Sequence, residues 1–180
     1  MKKWQQSAFA LSVALASLSS TSVYAQSSQD LINDHKTPGD VLVYGMGYNA
    51  QRYSPLNKIN KANVKRMVPM WGFSMADNRG AEGFPVVHDG VIYVTTHNAT
   101  FAVDAMAGKQ LWRVEHEYPP ETTRVVCCGI VNRGAAIYEG KVIRALLNNQ
   151  LIALDAKTGK ELWKFNTGSG ITAAPMTYTL

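Results

Sequence analysis

The only two cysteines of the 180-residue chain are neighbours, Cys127 and Cys128, and the run after them reads Gly129-Ile130-Val131-Asn132-Arg133-Gly134. Adjacent thiols can bond to each other or stay reduced. Bonding closes a small strained ring, because consecutive Cα atoms lie about 3.8 Å apart whereas ordinary disulfides span about 4.4–6.8 Å. A metal suits them poorly, since neighbouring side chains rarely converge on one ion and no His or Cys cluster lies nearby in the sequence. Arg133, five residues after Cys128, brings a planar guanidinium whose N–H fork matches a carboxylate. Its plainer role would be a surface salt bridge. The four histidines, His35, His88, His97 and His116, have no metal-ligand spacing. They are expected at the surface or with ordinary hydrogen-bond partners.

Whether such cysteines oxidise depends on the compartment. Lys2 and Lys3 precede an apolar run of 11 residues, Ala8 to Leu18, and Val23-Tyr24-Ala25 places small residues at the −3 and −1 positions before Gln26. These are the three parts of a secretory signal peptide over residues 1–25. The apolar run is too short to span a membrane, which takes about 20 residues. A mature chain starting near Gln26 would work in an oxidising space, expected to be a bacterial periplasm. Composition excludes further classes. With 46% hydrophobic and 17% charged residues, the chain is not a disordered tail, a collagen-like fibre or a multi-span membrane protein. Without Lys2 and Lys3, sixteen basic residues face thirteen acidic ones. Lys58, Lys61, Lys65 and Arg66 are diluted by Asn and apolar residues, so no nucleic-acid partner is expected.

The elements that must position the cysteine segment come from an internal repeat. Phe101 to Trp112 aligns with Ile152 to Trp163 at an offset of 51, with seven of twelve positions identical, and Asp89 to Tyr93 aligns with Glu139 to Ile143 at an offset of 50. A period near 50 built from short apolar runs predicts a propeller or another repeat array. In the first unit the strands are expected near 84–88, 91–95, 100–104 and 111–115. Asp89-Gly90 is a two-residue hairpin turn signal. At Asp104 to Gly108 and Asp155 to Gly159 the Asp side chain can cap backbone amides and the Gly can take a positive φ. Trp112 and Trp163 fall on the last strand of each unit, where a flat ring recurring once per repeat packs between neighbouring sheets. Trp71 looks like the end of an earlier unit, and Thr172-Ala173-Ala174-Pro175 like the start of another. Short helical turns are expected over Gln29–His35 and Asn60–Met67, the second capped by Asn60.

The pattern Ala-x-Asp-x-x-x-Gly-x-x-x-Trp at 102–112 and 153–163 resembles the tryptophan-docking repeat of the pyrroloquinoline quinone (PQQ) dehydrogenases. Tyr53 to Asn60 with Asn63-Val64, Glu82-Gly83-Phe84-Pro85, and Cys127 to Gly134 resemble the alcohol dehydrogenase branch, and the likeness covers nearly all of 40–180. The resemblance implies an all-β fold, an eight-bladed β-propeller of which this chain supplies about three blades, incomplete, over 41–180, after an N-terminal arm over 26–40. It implies a disulfide between Cys127 and Cys128 lying flat against the planar quinone. It also implies cofactor contacts from Glu82, Cys127, Cys128, Arg133 and Thr172. PQQ carries three carboxylates, so Arg133 suits it, whereas Glu82 needs a shared proton or a bridging water beside so anionic a molecule. Asn132 is expected to hold the loop rather than touch substrate. Gly129 departs from the family, many of whose members carry an acidic or larger residue there.

The activity implied is oxidation of a primary alcohol to an aldehyde, with electrons passed to a cytochrome c or ubiquinone. The metal that assists it, calcium or a lanthanide, and the catalytic aspartate base belong to later blades, so no catalytic or metal-ligating residue is assigned here. The chain is expected to be an N-terminal portion, inactive alone, with any membrane association arising only through parts beyond it. The rival reading is a non-catalytic propeller scaffold of the periplasm. It accounts for the tryptophan repeat but not for the Cys127-Cys128 pair with Arg133.

Overall fold

The computed structural model describes residues 26–126, 129–171 and 173–176. The signal peptide expected over 1–25, the cysteine pair and Thr172 lie outside the described residues. Two four-stranded antiparallel sheets follow one another in the chain. The first is β1 (Val86–His88), β2 (Val91–Thr95), β3 (Ala99–Asp104) and β4 (Gln110–Glu115); the second is β5 (Ala135–Tyr138), β6 (Lys141–Ala145), β7 (Gln150–Asp155) and β8 (Glu161–Asn166). In each, the strands lie in sequence order across the sheet, a meander. Register repeats as well: Ala102 faces Trp112 and Ala153 faces Trp163, and each sheet carries a shift one residue further on, at Ala102/Val103 and Ala153/Leu154.

The turns explain why the repeat folds this way. Asp89 and Gly90 have φ of 48° and 74°, and Glu139 and Gly140 have 46° and 70°. Two successive positive φ values make the tight turn whose twist matches a hairpin. In the outer turns the Asp104 carboxylate accepts from Met106 N and Ala107 N, and the Asp155 carboxylate from Lys157 N and Thr158 N.

The sheets stack through the tryptophans. Trp112 lies between them, donating its indole N–H to Ala156 O at 3.0 Å, and its six-membered ring sits where a Cβ on Gly159 would be 2.9 Å away. Trp71 makes the same contact one layer earlier, donating to Ala105 O at 3.2 Å against Gly108. The segment around Trp71 has no regular secondary structure and is not paired into a sheet. With Phe73 and Met75 it covers Phe101 and Val103 on the far face of the first sheet. Between the sheets, Tyr93, Ala102 and Trp112 pack with Ile137, Val142, Ile152 and Leu154. Trp163 holds the equivalent place on the second sheet and is 40% exposed.

The N-terminal arm crosses the inner-turn end of both sheets. Helix α1 (Ser28–Ile32) opens with a capping box between Ser27 and Asp30, and Leu31 is buried. A short 3-10 turn, Asp34–Lys36, follows. Gln26 meets the Glu139-Gly140 turn, and Asp40 accepts from Asp89 N at 3.0 Å. Val41 then bridges Val87 alongside β1. Asp34 is fully buried and accepts from Leu42 N and Val43 N; burial nevertheless pushes its pKa up. The second expected helical turn is a 3-10 turn, Val64–Arg66, whose N-cap position is Asn63 and not the expected Asn60; Asn60 accepts from Ala62 N in the turn before it.

Candidate functional site

The expected site residues gather at the other end of the sheets. There the chain enters β1, leaves β2, and crosses from β4 to β5 through a loop carrying a short helix, α2 (Thr122–Val125). Glu82-Gly83-Phe84 runs beside Asn132-Arg133-Gly134, joined by a parallel bridge between Phe84 and Gly134. The approach is close enough to require both glycines. A Cβ on Gly83 would lie 2.9 Å from Thr95 Oγ1 and 3.2 Å from Gly134 N, and one on Gly134, at φ +112°, would lie 3.0 Å from Phe84 O. The bridge brings the Arg133 guanidinium to 3.0 Å from a Glu82 carboxylate oxygen, both side chains part-exposed. Two residues assigned separately to one site are thus ion-paired with each other. This part-exposed pair is the plainer salt-bridge role named above for Arg133, and it offsets the charge of Glu82.

Asn132 does hold the loop. Its buried amide oxygen accepts from Thr95 Oγ1 at 2.7 Å and Gly134 N at 3.0 Å, while its amide N–H donates to Ala145 O at 2.9 Å. One side chain therefore fixes the loop to the ends of β2 and β6, on either side of Arg133. Gly129 takes φ +97°, and among the described residues nothing lies within 4 Å of where a Cβ would stand. The positive φ limits a larger residue there.

Two cavities share Arg133. One, of about 570 Å³, is lined by Tyr44, Tyr48, Glu82, Phe84 and Ala136 among others. Tyr44 meets Phe84 edge to face at 5.1 Å between ring centroids. The second, of about 470 Å³, is lined by Val126, Gly129, Asn132, Ile171 and Ala173. The immediate chain neighbours of the cysteine pair and of Thr172 thus border one cavity with Arg133. An arginine–glutamate pair, whose guanidinium has further N–H donors, and aromatic walls fit a planar molecule bearing carboxylates. Among the described residues no group of three or more His, Cys, Asp or Glu could hold a metal ion.

The sequence reading missed Arg144 and misjudged His116. Arg144, on β6, is fully buried, donating to Thr100 Oγ1 at 2.9 Å, Thr96 O at 2.7 Å and His97 O at 3.1 Å. Burial brings its pKa down to about 10, so it stays charged at neutral pH and clamps the second sheet to the β2–β3 connection of the first. The repeat held the signal: with Ile143 aligned to Tyr93, Arg144 stands where the first unit has the apolar Val94. His116 was expected at the surface or with an ordinary partner. Its Nε2 is instead enclosed without a hydrogen-bond partner among the described residues. Burial, then Arg144 and Lys164, drive its pKa down to about 4. His97 is held as expected, against the Asp77 carboxylate at 2.6 Å and Arg79 at 2.7 Å.

Residues 42–143, more than half of the chain, match the PQQ family described as glucose/ethanol/alcohol dehydrogenase, beta-propeller domain. The chain is 44% identical over 186 residues to a 1-butanol dehydrogenase (quinone) of Thauera butanivorans, covering 98% of this chain and 30% of that protein. It is 44% identical over 174 residues to a quinoprotein ethanol dehydrogenase of Pseudomonas aeruginosa, covering 92% and 28%. A europium-containing methanol dehydrogenase superposes with a TM-score of 0.75 at 36% identity, covering 84% of this chain and 28% of that one. A quinohemoprotein alcohol dehydrogenase from Comamonas testosteroni gives 0.74 at 33%, covering 84% and 25%. The chain belongs to the PQQ-dependent alcohol dehydrogenase β-propeller family, and its two sheets are blades of that propeller. It spans 28–30% of the length of these two curated relatives.

Proposed function

We propose that this chain forms one side of the cofactor cup of an exported quinoprotein that oxidises primary alcohols to aldehydes. The observation that carries the reading is the Glu82–Arg133 pair, held at 3.0 Å on the wall of a cavity of about 570 Å³. Arg133 would donate to a cofactor carboxylate or quinone oxygen, and Glu82, its charge offset by Arg133, would meet the cofactor rim. Cys127, Cys128 and Thr172 would complete this side, the cysteines as a disulfide platform under the ring. PQQ, when bound, supplies the two-electron acceptor for the alcohol. What this chain's residues do is bind and orient: Asn132 fixes the loop, and the Phe84–Gly134 bridge sets the spacing of Glu82 and Arg133. A calcium or lanthanide ion, the base that accepts the alcohol proton, and the route of electrons to a cytochrome c or ubiquinone would belong to other blades of the propeller.

The test is a PQQ titration of the full-length apoenzyme, read by tryptophan fluorescence. Arg133→Ala is expected to weaken binding by about 1.5–3 kcal/mol through loss of a charge-assisted hydrogen bond, whereas Lys65→Ala, remote from the cavity, leaves it unchanged. Equal affinities for wild type and Arg133→Ala would remove Arg133 from the site and the cup reading with it.

A further inference from the structure

Gln26 stands immediately after Ala25, the residue that the export signal marks for cleavage. It is also tied into the folded protein. Gln26 is only 2% exposed, its backbone oxygen accepts from Glu139 N at 3.0 Å, and its side-chain oxygen Oε1 accepts from Gly140 N at 3.1 Å. The next residues continue the attachment: Ser28 Oγ is 3.2 Å from the Tyr138 hydroxyl, and Leu31 is buried. Both bonds from the β5–β6 turn run to oxygens of Gln26.

We propose that Gln26 is a modification site: exposed as the amino terminus by export, it cyclises to pyroglutamate, and the lactam docks on the Glu139-Gly140 turn. The inference rests on the export reading of residues 1–25. A freed α-amine at this position would be an ammonium, a donor like the two turn amides that meet Gln26, which therefore cannot pair with it. The adjacent Glu139 carboxylate is engaged by Lys141 Nζ at 3.1 Å. Cyclisation removes the charge without an oxidant or reductant. The α-nitrogen attacks Cδ, the N–Cδ bond forms, the Cδ–Nε2 bond breaks, and ammonia leaves carrying a proton from the amine. The lactam keeps the two oxygens that the turn's amides use, and the atom it loses, Nε2, is not one of them.

The experiment expresses the whole precursor with export, purifies the processed protein and digests it with trypsin. A synthetic linear peptide of residues 26–36 goes through the same workflow to measure cyclisation caused by handling. The expected N-terminal peptide runs from Gln26 to Lys36, has a blocked amine and is lighter by one ammonia, well beyond the control. Amide exchange at Glu139 and Gly140 is read in the same preparation. It is expected to be about fivefold or more faster in Gln26→Ala, which lacks the side-chain acceptor. If Gln26→Ala is not recovered folded, Gln26→Leu, which also lacks the side-chain acceptor but keeps the bulk, should show the same loss of protection. A terminus other than Gln26 would overturn the proposal together with the cleavage position. A Gln26 terminus with a free amine would overturn it while leaving export intact. A blocked terminus whose replacement leaves exchange at 139–140 unchanged would overturn the docking.

Discussion

Replacing Gly159 by alanine should separate the two reasons for glycine at a blade junction. Gly159 has φ +74°, and a Cβ there would lie 2.9 Å from Trp112 Cδ2 and Cε3 and 3.0 Å from Val114 Cγ2. Gly90 has the same φ of +74° with nothing within 4 Å of its Cβ position, so Gly90→Ala measures the backbone cost alone, about 1 kcal/mol. Gly159→Ala adds overpacking against the indole, about 1–3 kcal/mol. If the ring yields, it also loses its hydrogen bond to Ala156 O, about 1 kcal/mol more. We expect a total loss of about 3–5 kcal/mol for Gly159→Ala against about 1 kcal/mol for Gly90→Ala, measured by urea unfolding followed by circular dichroism. Equal losses, within about 0.5 kcal/mol, would refute the claim that the Trp112 ring is seated against that glycine.

Asn132→Ala should cost about 2–4 kcal/mol in thermal unfolding, since it strands Thr95 Oγ1, Gly134 N and Ala145 O; Asn49→Ala, at an exposed position, should cost less than about 0.5 kcal/mol. A loss no larger than that of the control would show that Asn132 does not anchor the loop. Acid should act through His116, whose pKa falls to about 4 on folding from an ordinary 6.5. A depressed histidine contributes stability that is fully present above pH 6.5 and lost as pH falls toward 4. The loss is on the order of 2–3 kcal/mol after allowance for partial solvent screening. His116→Gln should flatten that part of the stability–pH curve, and a variant with the wild-type slope would exclude His116 as its source.

Much of this fold could be read from the repeat, because each repeated residue does one local job. Asp89-Gly90 gave the hairpin, Asp104 and Asp155 capped their own turns, and Trp112 and Trp163 fell at matching register. These depend on neighbours a few residues away or one period on. Helix α2 was not foreseen: Thr122–Val125 is one turn long, too short for any periodicity. The pairing of Glu82 with Arg133 was not foreseen either, although both were assigned to the site, because it arises from a parallel bridge across 50 residues that no local pattern encodes. Arg144 was missed because a single charge in an apolar strand reads as an outward-facing residue. Its fully buried position depends on acceptors, Thr96 O, His97 O and Thr100 Oγ1, that belong to the neighbouring sheet.

Stacked blades joined only by their tryptophans would behave as a one-dimensional array, each sheet coupled to its nearest neighbour and able to open on its own. The N-terminal arm changes that connectivity. It is pinned to the inner turn of the first sheet through Asp40 and Asp89, and to the inner turn of the second through Gln26 and Gly140, contacts that span 49 and 114 residues. The buried Leu31 and Asp34 stiffen the stretch between. Opening either sheet must therefore break an arm contact as well as a tryptophan seat. The arm adds a further link in parallel with the tryptophan seat and the Arg144 clamp, and the two sheets become a single cooperative unit instead of two adjoining ones.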